Sequence, residues 1–209
     1  MKTIRERGGK ASRQLRQTVA QLAAQMLMED GALSYASARR KAAERIGDVR
    51  GRDLPDLAEV EAALMETQRI FGGAAHAERQ QQYRREALQA MKFLDAFEPR
   101  LVGRILAGTA GPNPRVCLHV FAETTEEVIA FLHERGVPSE LGERRFVDLG
   151  VHPTVRFVAG ERRVELVVFP HRARRQAPLS DVTGKPMARA DIAAVRALVD
   201  HPAAAATPP

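Results

Sequence analysis

The spacing of apolar residues changes once along this chain, near Pro99, and that change constrains the fold more than any other feature. Before it, apolar side chains recur every three to four residues, the period of one helical face. After it, they come in short β-rich runs separated by glycine and proline. The expectation is an α+β chain: an N-terminal helical bundle over residues 1–97, then a small α/β domain with a mixed sheet over 98–200.

Four helices are expected in the first half. Leu15, Val19, Leu22, Met26 and Leu27 mark one face over 11–29, and Gly31 is its stop. Ser34 is placed to cap a second helix that turns Ala38, Ala42 and Ile46 inward, exposes Arg39, Arg40 and Lys41, and ends at Gly47. A third runs from Asp56 to Phe71, with Leu57, Val60, Leu64 and Ile70 on its face, and Gly72-Gly73 breaks it. A fourth runs from Glu78 to Phe97, burying Tyr83, Ala87, Met91 and Leu94, and is closed by Pro99. Short connections make a bundle the expected packing.

In the second half the strand candidates are Leu101–Leu106, Val116–Phe121, Arg144–Asp148, Thr154–Ala159 and Arg163–Phe169, with a helix over Thr124–Arg135. Ala159-Gly160-Glu161 reads as a hairpin turn. The apolar content of Val116–Phe121 and Arg163–Phe169 suits neighbouring central strands. A long irregular stretch, Pro170 to Ala190, precedes a last helix over Asp191–Val199. The Ala/Pro-rich tail, 201–209, is expected to be disordered.

Charge and cysteine content bound the setting. Charged residues make up 28% of the chain, and no apolar run approaches the roughly 18 residues of a membrane span. The polar start, Met1 to Arg7, lacks the apolar core of a secretory signal. Cys117 is the one cysteine, so no disulfide forms within the chain and a reducing, cytoplasmic setting is expected. The net charge is +6, carried almost entirely by arginine and spread over both halves. A solvated basic surface and a nucleic-acid footprint are the two readings of it.

One constellation could carry chemistry. Residues i and i+2 of a strand share a face, so Cys117 and His119 point one way while Val116, Leu118 and Val120 point the other. Glu165 is a lone carboxylate in Val164-Glu165-Leu166-Val167-Val168. Before the first of these strands, the glycines of Ala107-Gly108-Thr109-Ala110-Gly111 would let backbone N–H groups approach an anion. Cys117, His119 and Glu165 are also acceptable zinc ligands. The plain alternative is a small buried thiol, a hydrogen-bonded sheet histidine and an edge carboxylate.

The segment Leu106-Ala107-Gly108-Thr109, a seven-residue gap and Cys117-Leu118-His119 resembles the nucleotidyltransferase superfamily of the DNA polymerase β type. There a strand ends in Gly-Gly or Gly-Ser, an Asp-x-Asp pair follows, and a third carboxylate comes from a later strand. The resemblance covers roughly residues 85–170 and implies Gly108 and Thr109 as nucleotide-binding residues, supported by Arg115, Arg156 and Arg175, and Glu165 as the remaining catalytic acid. The chain is also similar to a divergent bacterial family with Arg-Lys-Ala-Ala-Glu-Arg at 40–45 and Ala-Pro-Leu-Ser…Gly-Lys-Pro-Met at 177–187.

This sequence departs from the superfamily where the reaction is performed. Cys117 and His119 replace the aspartates that would hold magnesium, which wants hard oxygen ligands. The resemblance therefore implies a pseudoenzyme that binds nucleotide or nucleic acid, with no cofactor identified. An active enzyme would need Glu123 or Asp148 beside Glu165; an RNA or protein interaction module is the further alternative. Arg172, Arg174 and Arg175 form the densest basic cluster and are the candidate RNA contacts. Gly8-Gly9-Lys10 and Gly184-Lys185-Pro186 lack the full phosphate-loop motif.

Overall fold

The computed structural model describes residues 3–31, 33–71 and 73–201. The chain divides into two compact units, Met1–Gly73 and Ala74–Pro209. The Ala/Pro tail beyond His201 and Gly72 of the expected helix break lie outside the described residues.

The first unit is built from α1 (Thr3–Glu29), α2 (Tyr35–Ile46) and α3 (Leu57–Phe71). Its core is a seam of small residues, Ala20, Ala23, Ala24, Ala38 and Ala42, interlocked with Val19, Leu27, Val60 and Leu64. Small side chains let helices approach closely, which explains why the fully buried positions of α2 are alanines. The Ser34 hydroxyl accepts from the Ser37 amide, as expected of a cap. Asp56 and Glu59 cap α3 reciprocally, each side chain accepting from the other's backbone N–H at 2.7 Å. Ile70, expected on the buried face of α3, is 57% exposed because it falls in the last turn beyond the seam.

The fourth helix, α4 (Gly73–Phe93), does not complete a bundle. Its buried face, Tyr83, Ala87, Leu88, Met91 and Leu94, belongs to the core of the second unit. Periodicity identified which residues of α4 are buried but could not say against what.

The second unit is a five-stranded mixed sheet of β1 (Arg100–Val102), β2 (Val116–Phe121), β3 (Ser139–Phe146), β4 (Gly150–Ala159) and β5 (Arg162–Phe169), in the order β1-β2-β5-β4-β3. As expected, β2 and β5 are neighbours; they run parallel, with Cys117 opposite Glu165. The other pairings are antiparallel. The expected strand Leu101–Leu106 is instead β1 followed by a short helix, α5 (Arg104–Ala107). Gly103 causes the break, with a φ of 75° that a side chain would resist. The strand expected at Arg144–Asp148 starts earlier, at Ser139, because β3 is a polar edge strand without apolar alternation. β4 includes Pro153, tolerated because the β5 pairing begins only at Thr154. Gly160, with a φ of 60°, makes the β4–β5 turn.

One face of the sheet is covered by α4, α6 (Thr125–Glu134) and α7 (Ile192–Asp200), which enclose Val116, Leu118, Val120, Val155, Val164, Leu166 and Val168. The stretch from Pro170 to Ala190, expected to be irregular, forms a 3₁₀ turn over His171–Arg175 and then joins the edge of β1, where Leu101 and Ala190 exchange backbone hydrogen bonds. No described helix is long and apolar enough to cross a membrane.

Candidate functional site

The opposite face of the sheet carries the residues singled out in the sequence. Alternation puts Cys117, His119 and Phe121 of β2 on it, with Glu165, Val167 and Phe169 of β5. The β4–β5 register adds Thr154 and Arg156.

Glu165 sits on a central strand and is 7% exposed, so it is no edge charge. Its carboxylate is surrounded by arginine. Arg115 donates from Nη1 to Oε2 at 2.7 Å, Arg156 donates from Nε to the same oxygen at 3.2 Å, and Arg144 Nη1 lies 3.6 Å from Oε1. Gly142 makes room for this cluster: a Cβ there would lie 2.5 Å from Arg156 Nη2 and 2.9 Å from Thr154 Oγ1. A glutamate held by three guanidinium groups is poorly disposed to bind a hard cation or to accept a substrate proton, which weighs against the expected role of Glu165 as a catalytic acid.

His119 is fully buried, wedged beside the rings of Phe146 and Phe169, and neither ring nitrogen has a hydrogen-bond partner. Burial, with Arg189, Arg144 and His152 adding like charge, pushes its pKa down to about 3. It is a neutral ring in an aromatic cluster rather than a hydrogen-bonded sheet residue or a ligand. Cys117 is half-buried, and its thiol makes a long contact to the Arg115 carbonyl. Burial and then the Glu165 charge push its pKa up to about 11. Such a thiol should resist alkylation. Iodoacetamide at pH 8 is expected to label Cys117 in urea-unfolded protein at least a hundredfold faster than in the folded protein; comparable rates would contradict this environment.

The proposed metal set therefore does not fit a metal. Cys117, His119 and Glu165 share a face, but the second is caged by phenylalanines and the third is ion-paired. Among the described residues, no group of three or more His, Cys, Asp or Glu side chains is placed to hold a metal ion. Neither alternative acid reaches Glu165. Glu123 follows the far end of β2 and Asp148 lies in the β3–β4 turn before β4 begins, roughly 20 Å and roughly 26 Å along the strand direction from the level of Glu165. Asp148 accepts instead from the Leu179 amide at 3.0 Å.

The expected nucleotide-binding residues are dispersed. Arg115 and Arg156 meet on Glu165, whereas Arg175 lies in the 3₁₀ turn beyond the opposite end of β5. Of its neighbours, Arg174 pairs with Glu98 at 2.5 Å, while Arg172 and Arg175 are exposed. Gly108 and Thr109 follow α5, and their amides donate to Ile105 and Arg104 carbonyls to close that helix. Those two N–H groups are thus committed to the chain itself and do not cradle an anion.

Sequence reasoning missed two arginines. Arg144 reaches Glu165 across β4, a contact readable only once strand order is known. Arg84 of α4 is 6% exposed and makes no ion pair among the described residues; nothing in the spacing of α4 distinguishes it from surface arginines. No protein-family model, no curated protein and no solved structure matches the chain.

Proposed function

We propose that the chain binds nucleic acid through its phosphates, on the arginine-bearing face of the sheet, and does not transfer nucleotides. The observation that carries this reading is the cluster around Glu165. Three arginine side chains that remain 36%, 33% and 43% exposed share a single carboxylate. The exposed Glu140, directly opposite Arg156 on β3, offsets one of the two remaining charges, so one net positive charge is left, on groups spread over three interstrand spacings, about 14 Å. That breadth suits successive phosphates better than one. Arg172 and Arg175 form a second exposed basic group beyond the opposite end of β5.

The rings on this face, Phe121, Phe146 and Phe169, are buried, so bases have no stacking platform there. Binding should accordingly follow the backbone, tolerate sequence and depend steeply on salt. The resemblance to nucleotidyltransferases supports a phosphate-binding ancestry, while the engaged Glu165 and the distant Glu123 and Asp148 argue against two-metal chemistry.

A fluorescent single-stranded RNA is expected to bind at about 50 mM salt and to weaken steeply as salt rises. Replacing Arg172, Arg174 and Arg175 together should flatten that dependence. A radiolabelled triphosphate with magnesium should show no transfer. No detectable RNA binding, or robust magnesium-dependent transfer, would refute the proposal.

A further inference from the structure

Arg84 is a buried cation without a counter-ion. It leaves 6% of its surface exposed, its Nε has no hydrogen-bond partner, and it forms no ion pair among the described residues. Burial without compensation disfavours its charged form. Proteins seldom bury an unpaired guanidinium, because desolvation of such a charge is costly unless another charge or several hydrogen bonds offset it. Among the described residues no carboxylate pairs with Arg84, and its Nε is left without an acceptor.

The surroundings indicate what could. Gln80 precedes Arg84 by one helical turn and is 5% exposed. Its Nε2 donates to the Ala110 carbonyl at 2.6 Å, which fixes the amide and leaves Oε1 as a buried acceptor without a partner. Gly108, with a φ of 73°, lies against the guanidinium: a Cβ there would be 3.1 Å from Arg84 Nη2. The glycine keeps that approach open. A cationic donor and a neutral acceptor therefore stand side by side at one turn, each unsatisfied.

We propose that Arg84 and Gln80, beside the Gly108 turn, receive a small hydroxylated oxyanion: inorganic phosphate, or a phosphate monoester in its singly ionised form, which keeps one P–OH. The anionic oxygens take the Arg84 donors, and a P–OH group donates to Gln80 Oε1. Sulfate has the charge but lacks the hydroxyl, and so leaves Gln80 unsatisfied. This site is separate from the RNA-binding face and does not depend on it.

The test is thermal melting of the full chain at constant ionic strength, with phosphate, sulfate or adenosine monophosphate as the added anion. Wild type should melt roughly 5–10 °C higher at phosphate a hundredfold above its dissociation constant. Sulfate should act much more weakly, and the monophosphate arm separates a monoester ligand from free phosphate. Arg84→Met should abolish the response and, without phosphate, melt no lower than wild type, since it removes an unpaired buried charge. Gln80→Leu keeps Arg84 and should weaken phosphate binding about tenfold. Both variants should bind RNA as wild type does. The assignment is overturned by a wild type that does not respond to phosphate or responds equally to sulfate, or by an Arg84→Met protein that responds like wild type. Should Arg84→Met fail to fold, an unweakened response in Gln80→Leu overturns it as well.

Discussion

Replacing Glu165 with glutamine is expected to destabilise the protein while tightening its grip on RNA. The carboxylate is buried, and removing its charge leaves three guanidinium groups facing one another with a single amide oxygen to share. Breaking a buried pair from one side can cost 3–5 kcal/mol, but these arginines are a third or more exposed, so about 1–3 kcal/mol is expected in urea unfolding. The freed charge should strengthen RNA binding several-fold at low salt. A residue that held a metal or contacted substrate would show the opposite, with binding lost along with the carboxylate. The two outcomes differ in sign, so polarisation titrations of the two proteins distinguish them.

His119→Leu should change how stability depends on pH. In the unfolded chain an imidazole takes up a proton near its ordinary value of 6.5, whereas in the folded chain it does so only near pH 3. Between those values the unfolded state binds more protons, so folding stability falls as pH is lowered. The slope from this one group approaches about 1.4 kcal/mol per pH unit. Stability curves at pH 7, 5.5 and 4.5 should show wild type losing about 2.5 kcal/mol to His119→Leu over that range. At pH 7 the variant should be close to neutral, since leucine suits the phenylalanine surroundings and removes two unsatisfied nitrogens. Parallel pH curves would mean that the ring is hydrated or already charged.

The face-sharing of Cys117 and His119 was legible from alternation alone, and the adjacency of β2 and β5 from their apolar content. What each polar residue does on that face was not. Arg115 and Arg156 read as phosphate contacts, yet both turn to Glu165, because a sequence does not show that β4 lies beside β5 with Arg156 opposite Glu165. Arg144 was unreadable for the same reason, and because the exposed edge strand Ser139–Phe146 has no apolar rhythm. Arg84 was hidden by helix patterning itself, which assigns a charged residue to the outside. The turn at Gly108 and Thr109 was correctly placed, but its amides close α5, a short helix that the apolar run Leu101–Leu106 disguised as strand.

On this reading, the exposed arginines around Glu165 neutralise RNA phosphates. Arg144→Gln with Arg156→Gln tests it most directly, because Arg115, 2.7 Å from Glu165, remains to compensate the buried carboxylate. The measurement is the slope of log affinity against log salt for single-stranded RNA, wild type beside the double variant. Each phosphate neutralised contributes about 0.7 to that slope, so a flattening of about 1 to 1.4 is predicted, with weaker binding at about 50 mM salt. Equal slopes and equal affinities would contradict the claim and return these arginines to a purely structural role around Glu165.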